Sequence, residues 1–263
     1  MNKTKIEWAD YTWNPVTGCL HGCPYCYARG VATRFNGGYG ERGEIHVVDE
    51  PLRDHWRDED AGKVVEGPKA AYPYGFDPTF HRYKLDEPGR KAKGAVIFVG
   101  SMTDLFGDWV PQEWIEAVFW ACQQAPQHTY LFLTKNPGRL MDLAEAGKLP
   151  TFDNFWYGST TTTPDTPFFW SGLHHTFVSV EPILAPFIMA TNKVEWAIFG
   201  AETGNRRDKV RPTWGWIEGA VNDLGLAGVP VFMKDSLKGI APFMLRQTPP
   251  QVALQTKGGA AHA

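Results

Sequence analysis

The sequence predicts an α/β fold in the form of a partial or complete (β/α) barrel with about six parallel strands. From Ala95 onward, short and nearly continuous apolar runs alternate with amphipathic helical patterns. This alternation is typical of right-handed β–α–β units whose parallel strands are covered by helices. The chain has 263 residues, of which 43% are hydrophobic, and this is enough for one barrel-sized domain with a large core.

The predicted strands are apolar runs bounded by turn residues. A first strand is expected near residues 6–13. Five strands would suit an open doubly wound sheet, whereas six or more favour a barrel. The helices are predicted directly after the cysteine loop and at 111–125, 138–147 and 213–225. The later strands are predicted at 95–100, 129–134, 155–159, 176–180, 194–200 and 229–233.

Residues 36–93 interrupt this alternation, because they are rich in Gly, Pro and charge. The segment is too long for an ordinary connection between two elements. We predict an irregular insertion after the first helix, packed over one end of the barrel. Residues 1–249 are expected to form a single domain, and 250–263 are expected to be a disordered tail.

The charge and hydropathy of the chain argue against a strongly basic nucleic-acid-binding protein and against a membrane or secreted protein. The chain has 26 Lys and Arg against 29 Asp and Glu, with a net charge of −3, which argues against a strong non-specific attraction to nucleic acid. It has neither an apolar run of membrane-spanning length nor a signal peptide, so we expect a cytoplasmic protein with no membrane contact. Clustered cysteines in the reducing cytoplasm are more often metal ligands or redox groups than disulfides.

Three of the four cysteines form one cluster, in which Cys19, Cys23 and Cys26 have the spacing C-x3-C-x2-C. The aromatic residue Tyr25 precedes the last cysteine. Thiolates at this spacing suit a metal centre. Three ligands rather than four leave one coordination position open, as in a site that performs chemistry.

A structural zinc site is the alternative interpretation, and it requires a fourth ligand. His21 and Cys122 are the two candidates. Cys122 falls on the apolar stripe of the helix predicted at 111–125, so we expect it to be a buried core thiol instead. No second Cys-x2-Cys pair accompanies the cluster, whereas zinc sites favour paired ones.

The pattern C-x3-C-x-aromatic-C resembles the signature of the radical S-adenosylmethionine (SAM) superfamily. Further segments make the chain similar to the bacteriophage and prophage three-cysteine-motif family, whose function is largely unassigned. These segments are TKIEWADYTWNPVTGC, CPYCYA, FVGSMTDLFGDWVP, LFLTKNPGRL, SVEPIL and IFGAETG. The chain departs from that family at FMKDSLKG and YGSTTTT.

The resemblance implies a barrel of the radical SAM type and a 4Fe–4S cluster held by Cys19, Cys23 and Cys26. It implies that the open iron binds SAM and that one electron cleaves SAM to a 5′-deoxyadenosyl radical, which abstracts hydrogen from a substrate. A flavodoxin-like or ferredoxin-like reductant is the implied partner. A phage-encoded member would act in the host cytoplasm. Nothing in the sequence indicates the oligomeric state.

Polar residues follow nearly every predicted strand, where the active sites of α/β barrels lie. Lys135, Glu181 and Lys234 are the candidate catalytic residues. Glu181 and Lys135 could form an ion pair with each other. Alternatively, one of them binds the carboxylate of SAM and the other binds the substrate, and the sequence leaves both alternatives open. The resemblance implies that SAM is contacted by Tyr25, Gly100, Ser101, Thr103, Asp104, Ser159, Thr160, Glu181, Gly200 and Glu202.

Either of two basic stretches, 81–93 and 206–211, is a candidate for contact with phosphate. If both border the barrel mouth, they could cradle a nucleotide or a DNA backbone there. The alternative for each is a solvated charged face. The phage association of the similar family points to a thymine base in hypermodified DNA, for example the rearrangement of a glycyl-thymidine adduct from an N-linked to a C-linked form. A peptide or small-metabolite substrate remains an alternative, as does a non-catalytic, zinc-stabilised binding protein.

Overall fold

A computed structural model of the protein describes residues 1–58, 63–188, 193–204 and 206–254. The described chain is a mixed α/β fold built on an eight-stranded, largely parallel sheet. Its strands and helices are, in chain order, β1 (Asn2–Lys3), β2 (Tyr11–Trp13), β3 (Val16–Thr17), α1 (Tyr27–Arg34), β4 (His46–Val48), β5 (Arg53–Asp58), β6 (Lys63–Lys69), β7 (Thr79–His81), β8 (Val96–Val99), α2 (Gln112–Gln123), β9 (Thr129–Thr134), α3 (Pro137–Glu145), β10 (Phe155–Thr161), β11 (His175–Val180), β12 (Ala197–Phe199), α4 (Glu218–Leu226) and β13 (Val231–Met233).

The strands of the main sheet follow the order of the chain. The order is β1-β2-β8-β9-β10-β11-β12-β13, and every pair is parallel except β1 with β2. A doubly wound sheet would reverse its strand order at a switch point, and the described sheet does not. The predicted largely parallel sheet is therefore confirmed, with β1 as an additional antiparallel edge strand.

The inner face of the sheet carries an aromatic cluster around Trp8. The ring of Trp8 lies 4.7 Å from that of Phe98 on β8 and 6.3 Å from that of Phe177 on β11. In a flat sheet β2 and β13 would be about 29 Å apart, yet Glu7, ahead of β2, accepts a hydrogen bond from the amide of Asp235, after β13, at 3.0 Å. The sheet therefore curves around this cluster, which comprises Trp8, Ala9, Val96, Phe98, Leu131, Trp156, Phe177, Trp196, Ile198, Phe232 and Val252.

The outer face is covered by helices. Helices α2 and α3 pack on β8–β10, and α4 packs on β11–β13. Cys122 of α2 is fully buried in the first of these layers, and burial raises the pKa of its thiol well above the usual value. The prediction that Cys122 is a core thiol is therefore confirmed.

Helices α2 and α3 agree with their predictions, whereas the helix predicted at 213–225 is interrupted. A 3-10 turn at Trp214–Trp216 precedes α4, and Ile217 between them has non-helical torsion angles. The carbonyl of Trp216 accepts a hydrogen bond from the amide of Phe187 at 2.6 Å. In a continuous helix the Trp216 carbonyl would instead accept a hydrogen bond from an amide one turn further along the chain, so the contact with Phe187 interrupts the helix here.

The prediction that residues 36–93 form an irregular insertion is wrong, because the segment carries strands β4–β7. Strands β5 and β6 form a hairpin, and β7 lies between β3 and β4 in a three-stranded sheet. All three residues of β7 are buried. β7 is stabilised by pairing with β3, which directly precedes the cysteine loop. A three-residue strand that depends on a partner far away in the sequence has no recognisable pattern of its own, so the sequence did not predict it.

The C-terminal segment predicted to be disordered divides into two parts. Residues 250–254 are described, and Val252 is fully buried against the inner-face cluster. Residues 255–263 lie outside the described residues. Within the described ranges, no helix is long and apolar enough to cross a membrane.

Replacing Trp8 with Ala is expected to lower the free energy of unfolding by about 3–5 kcal/mol, because the change leaves a cavity where strands converge. Urea denaturation measures the effect. Leu226→Ala is the control, since Leu226 is 89% exposed and its loss should change the free energy by no more than about 0.5 kcal/mol. Equal effects of the two substitutions would contradict the central position of Trp8.

Candidate functional site

A cavity of about 820 Å³ lies at the carboxyl ends of the parallel strands. This volume is within the range of small-molecule and cofactor sites. Its walls are the cysteine loop and residues at or just after the carboxyl ends of β8–β13, and its floor includes Ile6, Trp8, Phe98 and Leu133. The cavity is therefore apolar at depth and polar at its rim.

Most of the residues predicted from the sequence line this one cavity. Ser159 does not, because its side chain points to the opposite face of β10, where its Oγ accepts a hydrogen bond from the amide of Phe169 at 2.8 Å. Gly200 is also absent from the lining. The predicted residues that do line it are Cys19, Cys23, Tyr25, Cys26, Gly100, Ser101, Thr103, Asp104, Lys135, Thr160, Glu181, Glu202 and Lys234.

The cysteine loop begins at a point of close backbone approach. Gly18 has a φ of +85°, and a Cβ atom there would lie 2.1 Å from the carbonyl oxygen of Asp77. On the other side, the amide of Gly18 donates to the carbonyl of Met102 at 2.9 Å, and the Thr103 hydroxyl donates to the Gly18 carbonyl at 2.6 Å. Only glycine fits between the insertion and the turn after β8.

The three cysteines of the loop are free thiols and are half-buried. Cys26 is the N-cap of α1, and its Sγ accepts a hydrogen bond from the amide of Arg29 at 3.4 Å. The guanidinium of Arg29 donates to the Cys19 carbonyl at 3.2 Å. Arg29 thus ties the start of α1 to the first cysteine of the loop through its amide and its guanidinium.

Burial raises the pKa of the Cys19 thiol to about 11, and the negative charge of Asp104 adds to the effect. Among the described residues, no three Cys, His, Asp or Glu side chains are arranged to hold a single metal ion. A multinuclear cluster makes a different demand, because each thiolate can bind a different iron. The donor set of three free thiols therefore fits such a cluster.

The carboxylate of Asp104 connects three parts of the rim. One oxygen accepts from the Thr134 hydroxyl at 2.6 Å and from the Phe106 amide at 3.1 Å. The other is 2.7 Å from Nε2 of His21, within the cysteine loop, and accepts from the Lys135 amide at 2.8 Å. These partners occupy the acceptor positions of the carboxylate, while its predicted contact with SAM stays a prediction.

Glu181 forms an ion pair with Lys234, and the alternative pairing with Lys135 is not formed. A Cβ atom at Gly200 would lie 3.0 Å from the Lys234 side chain and 3.2 Å from the Glu181 carboxyl carbon. Gly200 thus makes room for this pair. The ammonium of Lys135 lies 5.9 Å from the centre of the Tyr25 ring and has no ion pair among the described residues.

A second ion pair at the rim joins Glu202 to Arg206 in a bidentate arrangement, with both distances 2.7 Å. Hydrogen bonding to Arg206 holds the pKa of Glu202 below its usual value. The basic stretch 206–211 therefore reaches the cavity at Arg206, which lines it. No residue of the other basic stretch, 81–93, is among the lining residues, so the two stretches do not both border it.

Sequence reasoning missed several residues that shape the cavity from the N-terminal segment. Asn14 donates to the Ser101 hydroxyl at 3.1 Å and accepts from the Met102 amide at 3.0 Å, which holds the turn after β8. Glu7 lines the cavity and accepts from the Asp235 amide at 3.0 and 2.9 Å. Their only local signal was their position in or directly after the first predicted strand, since Glu7 lies within residues 6–13 and Asn14 follows them.

Comparison with known proteins identifies a family to which the chain is similar, but no activity is assigned to that family. A family model described as "Protein of unknown function (DUF5131)" matches residues 3–239. An uncharacterised protein of Methanocaldococcus jannaschii is 44% identical over 54 residues, which are 20% of this chain and 20% of that protein. No solved structure shows significant similarity to the chain.

Gly18→Ala is expected to displace the cysteine loop, because the new Cβ atom would overlap the Asp77 carbonyl. Alkylation of Cys19 by iodoacetamide, followed by peptide mass spectrometry, should become roughly tenfold faster as the loop opens. Gly22→Ala is the matched control, since Gly22 also has a positive φ, of +67°, but a Cβ atom there would have no neighbour within 4 Å. Equal rates in the two variants would show that the loop is not held at Gly18.

Proposed function

The chain belongs to the DUF5131 family of proteins of unknown function, and we propose that it is a radical SAM enzyme. In this proposal Cys19, Cys23 and Cys26 hold a 4Fe–4S cluster. The observation that carries it is the presence of three free thiols on the wall of one large cavity at the carboxyl ends of parallel strands. The C-x3-C-x-aromatic-C spacing supports the same assignment.

We propose further that the curved sheet is a partial barrel of the radical SAM type. Strands that follow the order of the chain, with the aromatic cluster on their concave face, support this architecture. Glu7, ahead of β2, contacts both the Asp235 amide and Arg246 beyond β13. These contacts join the two sides of the sheet where a strand pair would otherwise close a full barrel.

The chain offers a suitable environment for the proposed cofactors. When bound, the cluster would supply the electron that cleaves the sulfonium C–S bond of SAM to give a 5′-deoxyadenosyl radical. Lys135, which has no ion pair in the described part of the chain, provides an ammonium for a ligand carboxylate. The Thr160 hydroxyl lines the cavity without a hydrogen-bond partner among the described residues, so it is available to a ligand.

The rim residues have different roles in this proposal. The turn formed by Gly100, Ser101 and Thr103 supports the cysteine loop, because the Thr103 hydroxyl is bonded to the Gly18 carbonyl. Glu181 and Lys234 neutralise each other until a charged ligand competes for one of them. Glu202 and Arg206 hold the loop after β12 against the cavity. The electron donor is the flavodoxin-like or ferredoxin-like partner that the superfamily resemblance implies.

The proposed substrate is a nucleotide or a base in nucleic acid, and rearrangement of a modified thymine is the specific candidate. The apolar floor formed by Ile6, Phe98 and Leu133 suits a flat ring. Arg206 at the rim supplies a guanidinium that a phosphate can share with Glu202. The competing substrates are a peptide and a small metabolite, and the competing class is a zinc-stabilised binding protein.

Anaerobic reconstitution with iron and sulfide is expected to give a brown protein with about four irons per chain. Cys23→Ala should lose the cluster and its visible absorption. Cys122→Ala is the control and should retain both, because Cys122 lies in the core away from the cavity. A colourless protein with stoichiometric zinc would refute the cluster and favour the binding-protein class.

With SAM and a reductant, the reconstituted protein is expected to form 5′-deoxyadenosine. Deuterium from DNA labelled in its modified thymine should appear in that product if hydrogen is abstracted from the base. Mass spectrometry of the product measures the transfer, with labelled peptide and unlabelled DNA as parallel reactions. Formation of unlabelled 5′-deoxyadenosine with every nucleic-acid substrate would contradict the proposed substrate class and leave SAM cleavage intact.

A further inference from the structure

A second groove, of about 460 Å³, lies on the insertion and shares no lining residue with the cysteine cavity. One wall is the end of β6 with the residues that follow it, 69–71, and the other is the turn after β7. We call it the Lys84 groove. Its lining residues are Pro51, Lys69, Ala70, Ala71, Tyr83, Lys84, Glu87 and Arg90.

The basic residues of the stretch 81–93 have different surroundings. Arg82 pairs with Asp49, and Arg90 pairs with Asp86 on the surface. The Lys84 ammonium has no carboxylate within ion-pairing distance in the described part of the chain, although this side chain is half-buried. Lys84 is therefore distinct from a solvated surface lysine.

The groove carries an excess of positive charge. Among its described lining residues the one carboxylate is Glu87, which is already bound by the N-terminal ammonium of Met1. Lys69, Lys84 and Arg90 are the lining cations; Arg90 is paired with Asp86, whereas Lys69 and Lys84 have no ion pair among the described residues. Burial lowers the pKa of Lys84 to about 8, because a half-buried ammonium has lost part of its hydration. A bound anion would compensate for that loss.

The position of Lys84 is fixed by the core of the domain. Its carbonyl accepts a hydrogen bond from Nε1 of Trp13 at 2.9 Å, and Trp13 is fully buried. Its ammonium lies 5.6 Å from the centre of the Tyr83 ring, which forms part of the same wall. The backbone of Lys84 is thus held by the core, and its ammonium lies next to an aromatic ring of the same wall.

We propose that the Lys84 groove binds a phosphate group of a nucleotide or of a nucleic-acid strand. Several cations around one groove suit the multiple oxygens of a phosphate, and lysine binds phosphate as a point charge. The groove is larger than a single ion, and the Tyr83 ring offers a surface on which a base can stack. The site is independent of the proposed cluster, because it is built from the insertion alone.

Fluorescence anisotropy of a labelled single-stranded oligonucleotide tests the proposal on cluster-free protein. Lys84→Gln is expected to weaken binding roughly tenfold and to reduce the dependence of affinity on salt by about one phosphate contact. Lys93→Gln is the matched control, since Lys93 lies in the same basic stretch but outside the groove. It should change the affinity by less than about twofold.

Competition identifies the source of the phosphate. Displacement by inorganic phosphate or thymidine monophosphate at low concentration indicates a free nucleotide site, and displacement by unlabelled oligonucleotide alone indicates a strand site.

Lys69→Gln, on the opposite wall, provides a second variant if Lys84→Gln does not fold, as judged by its thermal transition. Absence of binding at low ionic strength, or equal weakening by Lys84→Gln and Lys93→Gln, would overturn the proposal. Neither result depends on iron or SAM, so failure of the enzymatic proposal is a separate outcome.

Discussion

The arrangement of the site depends on the buried carboxylate of Asp104. Its side chain is almost inaccessible, and it contacts donors from the cysteine loop, the turn after β8 and the end of β9. A buried charge is tolerated only when its hydrogen-bonding capacity is met. His21, Thr134 and the Lys135 amide must therefore keep their positions together, and this requirement holds one rim of the cavity in a single arrangement.

The insertion supports the same rim from the other side. Gly18 passes between the Asp77 carbonyl and the turn after β8, and β7 pairs with the strand just before Gly18. Asp77 is itself held, because its carboxylate accepts from the amides of Arg42 and Gly43 at 2.6 and 3.0 Å. Residues 36–93, which interrupt the alternation of strands and helices, thus support the cysteine loop and also form the walls of the Lys84 groove.

The depth of the cavity follows from the alternation of side chains along the strands. Aromatic residues fill the lower part of the concave face, where a Cβ atom at Gly158 would lie 2.3 Å from the Phe177 ring. Residues toward the carboxyl ends are small or charged, as at Thr160, Gly200 and Lys234. The packed lower layers close the floor, and the charged ends of the strands form the rim. Each strand therefore contributes its lower part to the packed core and its carboxyl end to the wall of the cavity.

Apolar periodicity and residue spacing are local properties, and they were enough to predict the strand–helix alternation, the burial of Cys122 and the grouping of three cysteines. Other features became visible only in the folded chain. Thr160 rather than Ser159 faces the cavity, and Lys234 rather than Lys135 pairs with Glu181. The strand β7 within the insertion and the position of Lys84 in its groove were also visible only in the folded chain. Each of these depends on strand register and on contacts between segments far apart in the chain, which a local pattern does not encode.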